Sequence, residues 1–192
     1  QLFLFLVGFG LFECLIDFGL APRVMGGHSF GEWIAAACSH LWTMDNFLRI
    51  VCWRGFYCDE VSSLSSGGSG GYRMISLPVS HNQALSLIDE FNTKGKKNSS
   101  VSIATYNSPV STTLCGSNSD LEDFKSYCLS RVSVIQCRFI RVRNAFHSKE
   151  IDSISPKLMS RMLLIPFNSH ETIMASGRYS SLLSNVSGSI EP

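Results

Sequence analysis

Arg23-Val24-Met25-Gly26-Gly27-His28-Ser29-Phe30-Gly31-Glu32 joins a short apolar run to a helical run through a serine flanked by glycines. Val24 and Met25 read as a buried strand, and Trp33 to Cys38 as a helix. Gly27-His28-Ser29-Phe30-Gly31 fits G-x-S-x-G in the strand–turn–helix setting that a nucleophile elbow requires. The chain must turn sharply at the serine to expose its Oγ, and glycines two residues to either side relieve the crowding. The helix that follows aims its N-terminus at the serine, so the Phe30 N–H is placed to stabilise an oxyanion. An incidental glycine-rich turn is the bland alternative. The strand–helix setting favours the elbow.

Upstream, apolar residues at 2, 5, 6, 9, 12, 15 and 16 predict a core helix. Glu13 and Asp17 interrupt the run, which argues against a membrane span, and no basic stretch precedes it as a signal peptide needs. Gly19-Leu20-Ala21-Pro22 is a helix stop. Downstream, a helix is expected from Asp45 to Val61. Ser62 to Gly71 is almost wholly Ser and Gly and reads as a hinge between subdomains.

A regular pattern follows. Arg73 to Val79 reads as a strand, and Ser80-His81-Asn82-Gln83 as a capping box opening a helix. Val101 to Tyr106 and Ser111 to Cys115 read as two strands. Ser119-Asp120-Leu121-Glu122 reads as a second capping box, and Val132 to Val142 as a long β-branched stretch. The order βαββαβ is the ferredoxin-like arrangement. The fold class expected is α/β: an α/β-hydrolase-like large subdomain with an inserted ferredoxin-like small one. Residues 1–66 and 139–192 form the large subdomain, and residues 67–138 the insert.

The chain has 192 residues, 45% of them hydrophobic and 16% charged, which excludes a disordered chain. A net charge of +1 does not by itself argue for a nucleic-acid surface or an acidic partner. Seven cysteines without a CxxC pair fit reduced thiols in a cytoplasmic protein. The histidines do not cluster with them, so no metal site is expected.

A serine nucleophile needs a base. His28 adjoins Ser29 and should point away, His81 sits in a capping turn, and His40 and His170 have nothing to recommend them. His147 follows the long strand within Asn144-Ala145-Phe146-His147-Ser148 and is the best candidate. Arg54 lies in Val51-Cys52-Trp53-Arg54-Gly55 on an otherwise apolar helix. It is either a snorkelling side chain or a guanidinium fork for a carboxylate.

Taken together, Gly27-His28-Ser29-Phe30-Gly31-Glu32 resembles the GHSxGE box of malonyl-CoA:acyl-carrier-protein transacylases. These include the acyltransferase domains of type I polyketide and fatty acid synthases. Gln1 with the apolar helix resembles the segment leading into the elbow, and Arg54-Gly55 the family's carboxylate-binding arginine. Ala104-Thr105-Tyr106-Asn107-Ser108-Pro109, Ala145-Phe146-His147-Ser148 and Ser184-Asn185-Val186-Ser187-Gly188 resemble three further family boxes in the family's order.

The resemblance implies that Ser29 attacks a malonyl thioester with His147 as general base, that Arg54 grips the free carboxylate, and that a carrier-protein phosphopantetheine thiol collects the acyl group. It implies that Phe30 and Phe146 fill space and favour malonyl over methylmalonyl, that His28 lines the substrate site, and that Asn185 lies near it. No bound cofactor is implied. The substrate is malonyl-CoA, and the partners are an acyl carrier protein and neighbouring synthase domains, on the ketosynthase side, with no nucleic acid and no membrane.

Asn144 and Ile151 depart from the commoner family residues, and Phe167 to Leu183 matches poorly. The family's N-terminal G-Q-G-x-Q segment has no counterpart here, so the chain reads as a fragment lacking both ends. Two other functions compete. A serine esterase would need Asp120 or Asp123 as its acid. A non-catalytic acyltransferase-like docking module would need none of these side chains.

Overall fold

The computed structural model describes residues 1–65, 71–131, 136–142, 144–176 and 181–191. In chain order they form α1 (Leu2–Asp17), β1 (Val24–Gly26), α2 (Phe30–Cys38), α3 (Met44–Ser65), β2 (Tyr72–Leu77), α4 (His81–Glu90), β3 (Ser102–Ser108), β4 (Ser111–Ser117) and α5 (Asn118–Arg131). Then come β5 (Arg138–Phe139), α6 (Lys149–Asp152), α7 (Ser155–Met162), α8 (His170–Ala175), β6 (Ser181–Leu183) and β7 (Ile190–Glu191). The protein is mixed α/β. Among the described residues no helix is long and apolar enough to cross a membrane. α3 runs on to Ser65 through the first part of the expected hinge. The remainder, residues 66–70, lies outside the described residues, as do residues 132–135 of the expected β-branched strand.

The chain divides into two compact units: Gln1–Phe56 with Lys157–Pro192, and Tyr57–Pro156. The sequence reading places the boundaries at 66/67 and 138/139 instead.

In the first unit, β1 pairs in parallel with β6, Val24 opposite Ser181 and Gly26 opposite Leu183, and β6 pairs antiparallel with β7. The core gathers Phe5, Ala37, Trp42, Phe47, Ile50, Val51 and Ile165. Phe5 stacks on Phe47 at 5.9 Å between ring centroids, and Trp42 meets Phe47 edge-on at 5.1 Å. Of the α1 stripe expected in the core, only Phe5 is fully buried; Leu2, Leu6 and Leu15 are exposed. Apolar side chains surround this helix on every face, so its composition defines no unique inward stripe. Its end is as expected. Gly19 adopts φ +82, and the Gly19 and Leu20 N–H groups donate to the Ile16 and Leu15 carbonyls at 2.8 and 3.0 Å. A left-handed residue closing a helix in this way is a Schellman stop.

The second unit is built on a four-stranded antiparallel sheet in the order β3-β4-β2-β5, with element order βαββαβ. Successive strand residues alternate between faces. Ile75, Leu77 and Leu114 pack with Ala84, Ile88, Leu121, Phe124 and Cys128 of α4 and α5. Their strand neighbours Met74 and Cys115 pack with Ala145 in a separate cluster. Each fully buried Leu, Ile or Phe contributes roughly 1.5–3 kcal/mol.

The capping box at Ser80 forms: the Gln83 N–H donates to Ser80 Oγ at 3.4 Å, and the Ser80 N–H to Gln83 Oε1 at 3.0 Å. The box expected at Ser119–Glu122 does not form. α5 already begins at Asn118, and Ser117 Oγ accepts from the Asp120 N–H at 3.1 Å. Ser117 rather than Ser119 therefore caps the helix. The Asp120 carboxylate makes tertiary contacts. It accepts from the Ser100 N–H at 2.7 Å, the Ser100 hydroxyl at 2.6 Å and Lys96 Nζ at 2.7 Å.

Burial by itself acts to raise the Asp120 pKa. The donors Lys96, Ser100 and Ser117 outweigh it and hold the carboxyl well below the usual carboxylate range. A depressed carboxyl pKa stabilises the fold above the unfolded-state value, and that contribution is lost as pH falls toward the folded value. Asp120→Asn is expected to lower unfolding free energy at pH 7 by about 1–3 kcal/mol in urea titrations. The difference from the unsubstituted protein should shrink below about pH 4, where a free aspartate protonates. A pH-independent difference would show that the carboxylate's charge is not what stabilises.

Candidate active site

Ser29 follows β1 and is the N-cap residue of α2, with φ 53 and ψ −111. A non-glycine residue there is strained by roughly 1–3 kcal/mol and persists only where its surroundings over-determine it. Gly27 shows why the turn is possible. A Cβ on it would lie 2.0 Å from the Gly31 carbonyl carbon and 2.6 Å from the Glu32 nitrogen. A Cβ on Gly31 would meet nothing within 4 Å. The two glycines therefore play different parts: Gly27 must lack a side chain, while Gly31 contributes the backbone that crowds it. The turn is closed by the Gly31 N–H on the His28 carbonyl at 2.9 Å and the Glu32 N–H on the Ser29 carbonyl at 3.1 Å. The Phe30 N–H stands at the first position of α2, where an amide has no intrahelical acceptor and the helix end is electropositive.

Arg54, half-buried on α3, donates from Nη1 to Gln1 Oε1. Its guanidinium carbon lies 5.3 Å from the centroid of the Phe30 ring. A guanidinium thus stands over the side chain next to Ser29. Asn185, in the turn after β6, donates from Nδ2 to the Gly27 carbonyl, and its own N–H donates to Glu32 Oε1 at 2.9 Å. His28 is exposed.

Phe146 and His147 belong to the second unit. Ala145 is buried against Met74 and Cys115, with Phe146 partly buried beside it. Asn144 Nδ2 donates to the Cys58 carbonyl at 3.2 Å, and the Ser148 hydroxyl donates to the Ala145 carbonyl at 2.6 Å. These contacts place the segment in this unit rather than with the residues after 156. His147 is exposed and has φ 61, a left-handed conformation uncommon outside glycine.

The structure therefore brings Phe30 together with Arg54, and Asn185 together with the elbow. Two members of this group are absent from the residues singled out by sequence. Gln1 contacts Arg54 across 53 positions, which no local pattern reveals. Glu32 is visible only as the last letter of the GHSxGE box. Among the described residues no group of three or more His, Cys, Asp and Glu side chains could hold a metal ion.

The fold and this turn define a mixed α/β protein with a strained serine between strand and helix. Residues 1–185 match the model of the acyl transferase domain family, and the chain belongs to that family. It is 32% identical over 173 residues to an iterative polyketide synthase of Emericella nidulans, covering 88% of this chain and 6% of that protein. It is 28% identical over 158 residues to a non-reducing polyketide synthase of Aspergillus terreus, covering 82% of this chain and again 6% of the relative. Its fold is shared with the acyltransferase domain from the second module of the salinomycin polyketide synthase. There the TM-score is 0.74 at 21% identity, over 97% of this chain and 39% of that one. It is shared also with a malonyl-CoA–acyl carrier protein transacylase from Clostridium perfringens, with a TM-score of 0.76 at 19% identity, over 98% and 54%.

Proposed function

We propose that the protein transfers a malonyl or related dicarboxylic acyl unit from CoA to the phosphopantetheine thiol of an acyl carrier protein. Ser29 Oγ attacks the thioester carbonyl and gives its proton to His147. The carbon–sulfur bond breaks, and CoA leaves as the thiol after taking that proton. The carrier thiol then gives its proton to His147 and attacks the seryl ester, the acyl carbon–Oγ bond breaks, and His147 passes that proton to Ser29 Oγ, which restores the free hydroxyl. The Phe30 N–H stabilises the developing oxyanion, and Arg54 holds the acyl unit's free carboxylate.

One observation carries this reading: the Arg54 guanidinium lies over Phe30, the residue that follows the nucleophile. A neutral ester has no use for a guanidinium there. The esterase reading is weakened further because both acids it would need are engaged, Asp120 with Ser100 and Lys96, and Asp123 with Lys96 at 3.0 Å. The Phe30 and Phe146 rings favour malonyl over methylmalonyl by roughly 1–3 kcal/mol, what one methyl can decide.

In this reading the first unit is part of an α/β-hydrolase-like subdomain, and the βαββαβ block is a ferredoxin-like insert. The wider setting is a cytoplasmic multifunctional synthase with a neighbouring ketosynthase and no bound cofactor. Intact-mass measurement of the full-length protein with malonyl-CoA tests the proposal. One added malonyl group that is discharged by a carrier protein is expected. An unmodified mass in a folded, full-length chain overturns it.

A further inference from the structure

The strained Ser29 conformation has to be held by something besides its own turn. Its local hydrogen bonds span only three residues each. The Asn185 bonds reach it from elements 158 and 153 positions away. Both are donated by Asn185 and grip the elbow on either side of the serine: the side-chain amide donates to the Gly27 carbonyl, two residues before it, and the backbone N–H donates to Glu32 Oε1, three residues after it. Asn185 itself sits in a tightly built turn. Ser184 Oγ accepts from the Val186 N–H at 3.1 Å and the Ser187 N–H at 3.3 Å, the Gly188 N–H donates to the Ser184 carbonyl at 2.9 Å, and Gly188 has φ +67.

Glu32 is the third residue of α2. In a capping box an acid at this position reaches back to the N-cap N–H. Here its Oε1 is spent on Asn185 instead. We propose that Glu32 is a positioning residue for acyl transfer: its carboxylate and the Asn185 amide form a two-bond clamp that fixes the Ser29 elbow against the 184–188 turn. The inference rests on the acyl-transfer reading and adds to it. Without the clamp the elbow can relax from φ 53, and Ser29 Oγ drifts from the line of attack. Displacements on the order of 1 Å in a reacting group cost up to about 10²-fold in rate.

The test is steady-state malonyl transfer by the full-length protein with Glu32→Ala, Glu32→Gln and Asn185→Ala, alongside thermal unfolding of each. Glu32→Ala is expected to lower kcat by about 10- to 100-fold with KM for malonyl-CoA unchanged. Glu32→Gln keeps a carbonyl acceptor for the Asn185 N–H and should retain most of the rate. Asn185→Ala should lower kcat in the same way.

If Glu32→Ala does not fold, the other two variants decide the matter. The clamp is overturned if Glu32→Gln loses about 10-fold or more in kcat, since charge at the helix end would then be what counts. It is overturned too if Asn185→Ala raises KM at unchanged kcat, which would make Asn185 a direct substrate contact. An unsubstituted protein that takes up no malonyl group fails at the earlier step and sinks both readings; an active protein indifferent to all three substitutions sinks the clamp alone.

Discussion

Ser29→Ala is expected to abolish the malonyl adduct and to lower transfer to the carrier protein by 10³-fold or more, on the order of what loss of a serine nucleophile costs elsewhere. The size of the effect follows from the covalent route. Two acyl transfers pass through one oxygen, and alanine leaves no atom to carry the ester. Serine is abundant in this chain, so mass alone is not enough; the label should map by peptide fragmentation to the Gly27–Glu32 elbow. The distinguishing feature of Ser29 is its backbone, not its residue type. It sits at φ 53 as the N-cap residue of α2, directly before the Phe30 amide. His147→Ala should slow both half-reactions while leaving Ser29 in place. Persistence of the adduct in Ser29→Ala, at any other serine, would refute the assignment.

What could be read from sequence was what local geometry imposes. The elbow was legible because the clash of a Gly27 side chain with the Gly31 backbone is a property of the turn alone. The Ser80–Gln83 box was legible for the same reason, since both partners lie within one helical turn. The Ser119–Glu122 box fits the same pattern and does not form. Ser117, two residues upstream, takes the Asp120 N–H instead, and the helix begins at Asn118. α1 was read correctly as a helix, yet its buried stripe was not, because a helix apolar all round carries no phase information. The membership of Ala145 in the second unit rests on its packing with Met74 and Cys115, residues from strands far away in sequence. The Gln1–Arg54 bond was hidden for the same reason. Strain and capping are written locally; which residues close over a site is written in the packing.

Arg54→Ala is expected to change which acyl groups are accepted rather than whether Ser29 reacts. An arginine–carboxylate fork makes two charge-assisted hydrogen bonds, each worth about 1.5–3 kcal/mol when its loss leaves a desolvated partner. Even at the low end, loss of both is about 3 kcal/mol, or roughly 10²-fold in kcat/KM for malonyl-CoA at about 1.4 kcal/mol per decade. Acetyl-CoA carries no carboxylate, so its slow loading should be unchanged or rise slightly as the unmatched guanidinium is removed. The ratio of malonyl to acetyl loading should therefore collapse by about 10²-fold, measured by intact mass with the two thioesters in competition. Arg54→Lys should recover only part of this, because an ammonium keeps the charge but not the planar fork, and it stacks less well on the Phe30 face. Gln1→Ala is a milder version of the same experiment, since it releases the guanidinium from the carboxamide that orients it without removing the charge. A malonyl-to-acetyl ratio unaltered in Arg54→Ala, in a protein still acylated at Ser29, would mean that the guanidinium over Phe30 serves packing alone, and that selection for a dicarboxylic acyl unit is made elsewhere in the protein.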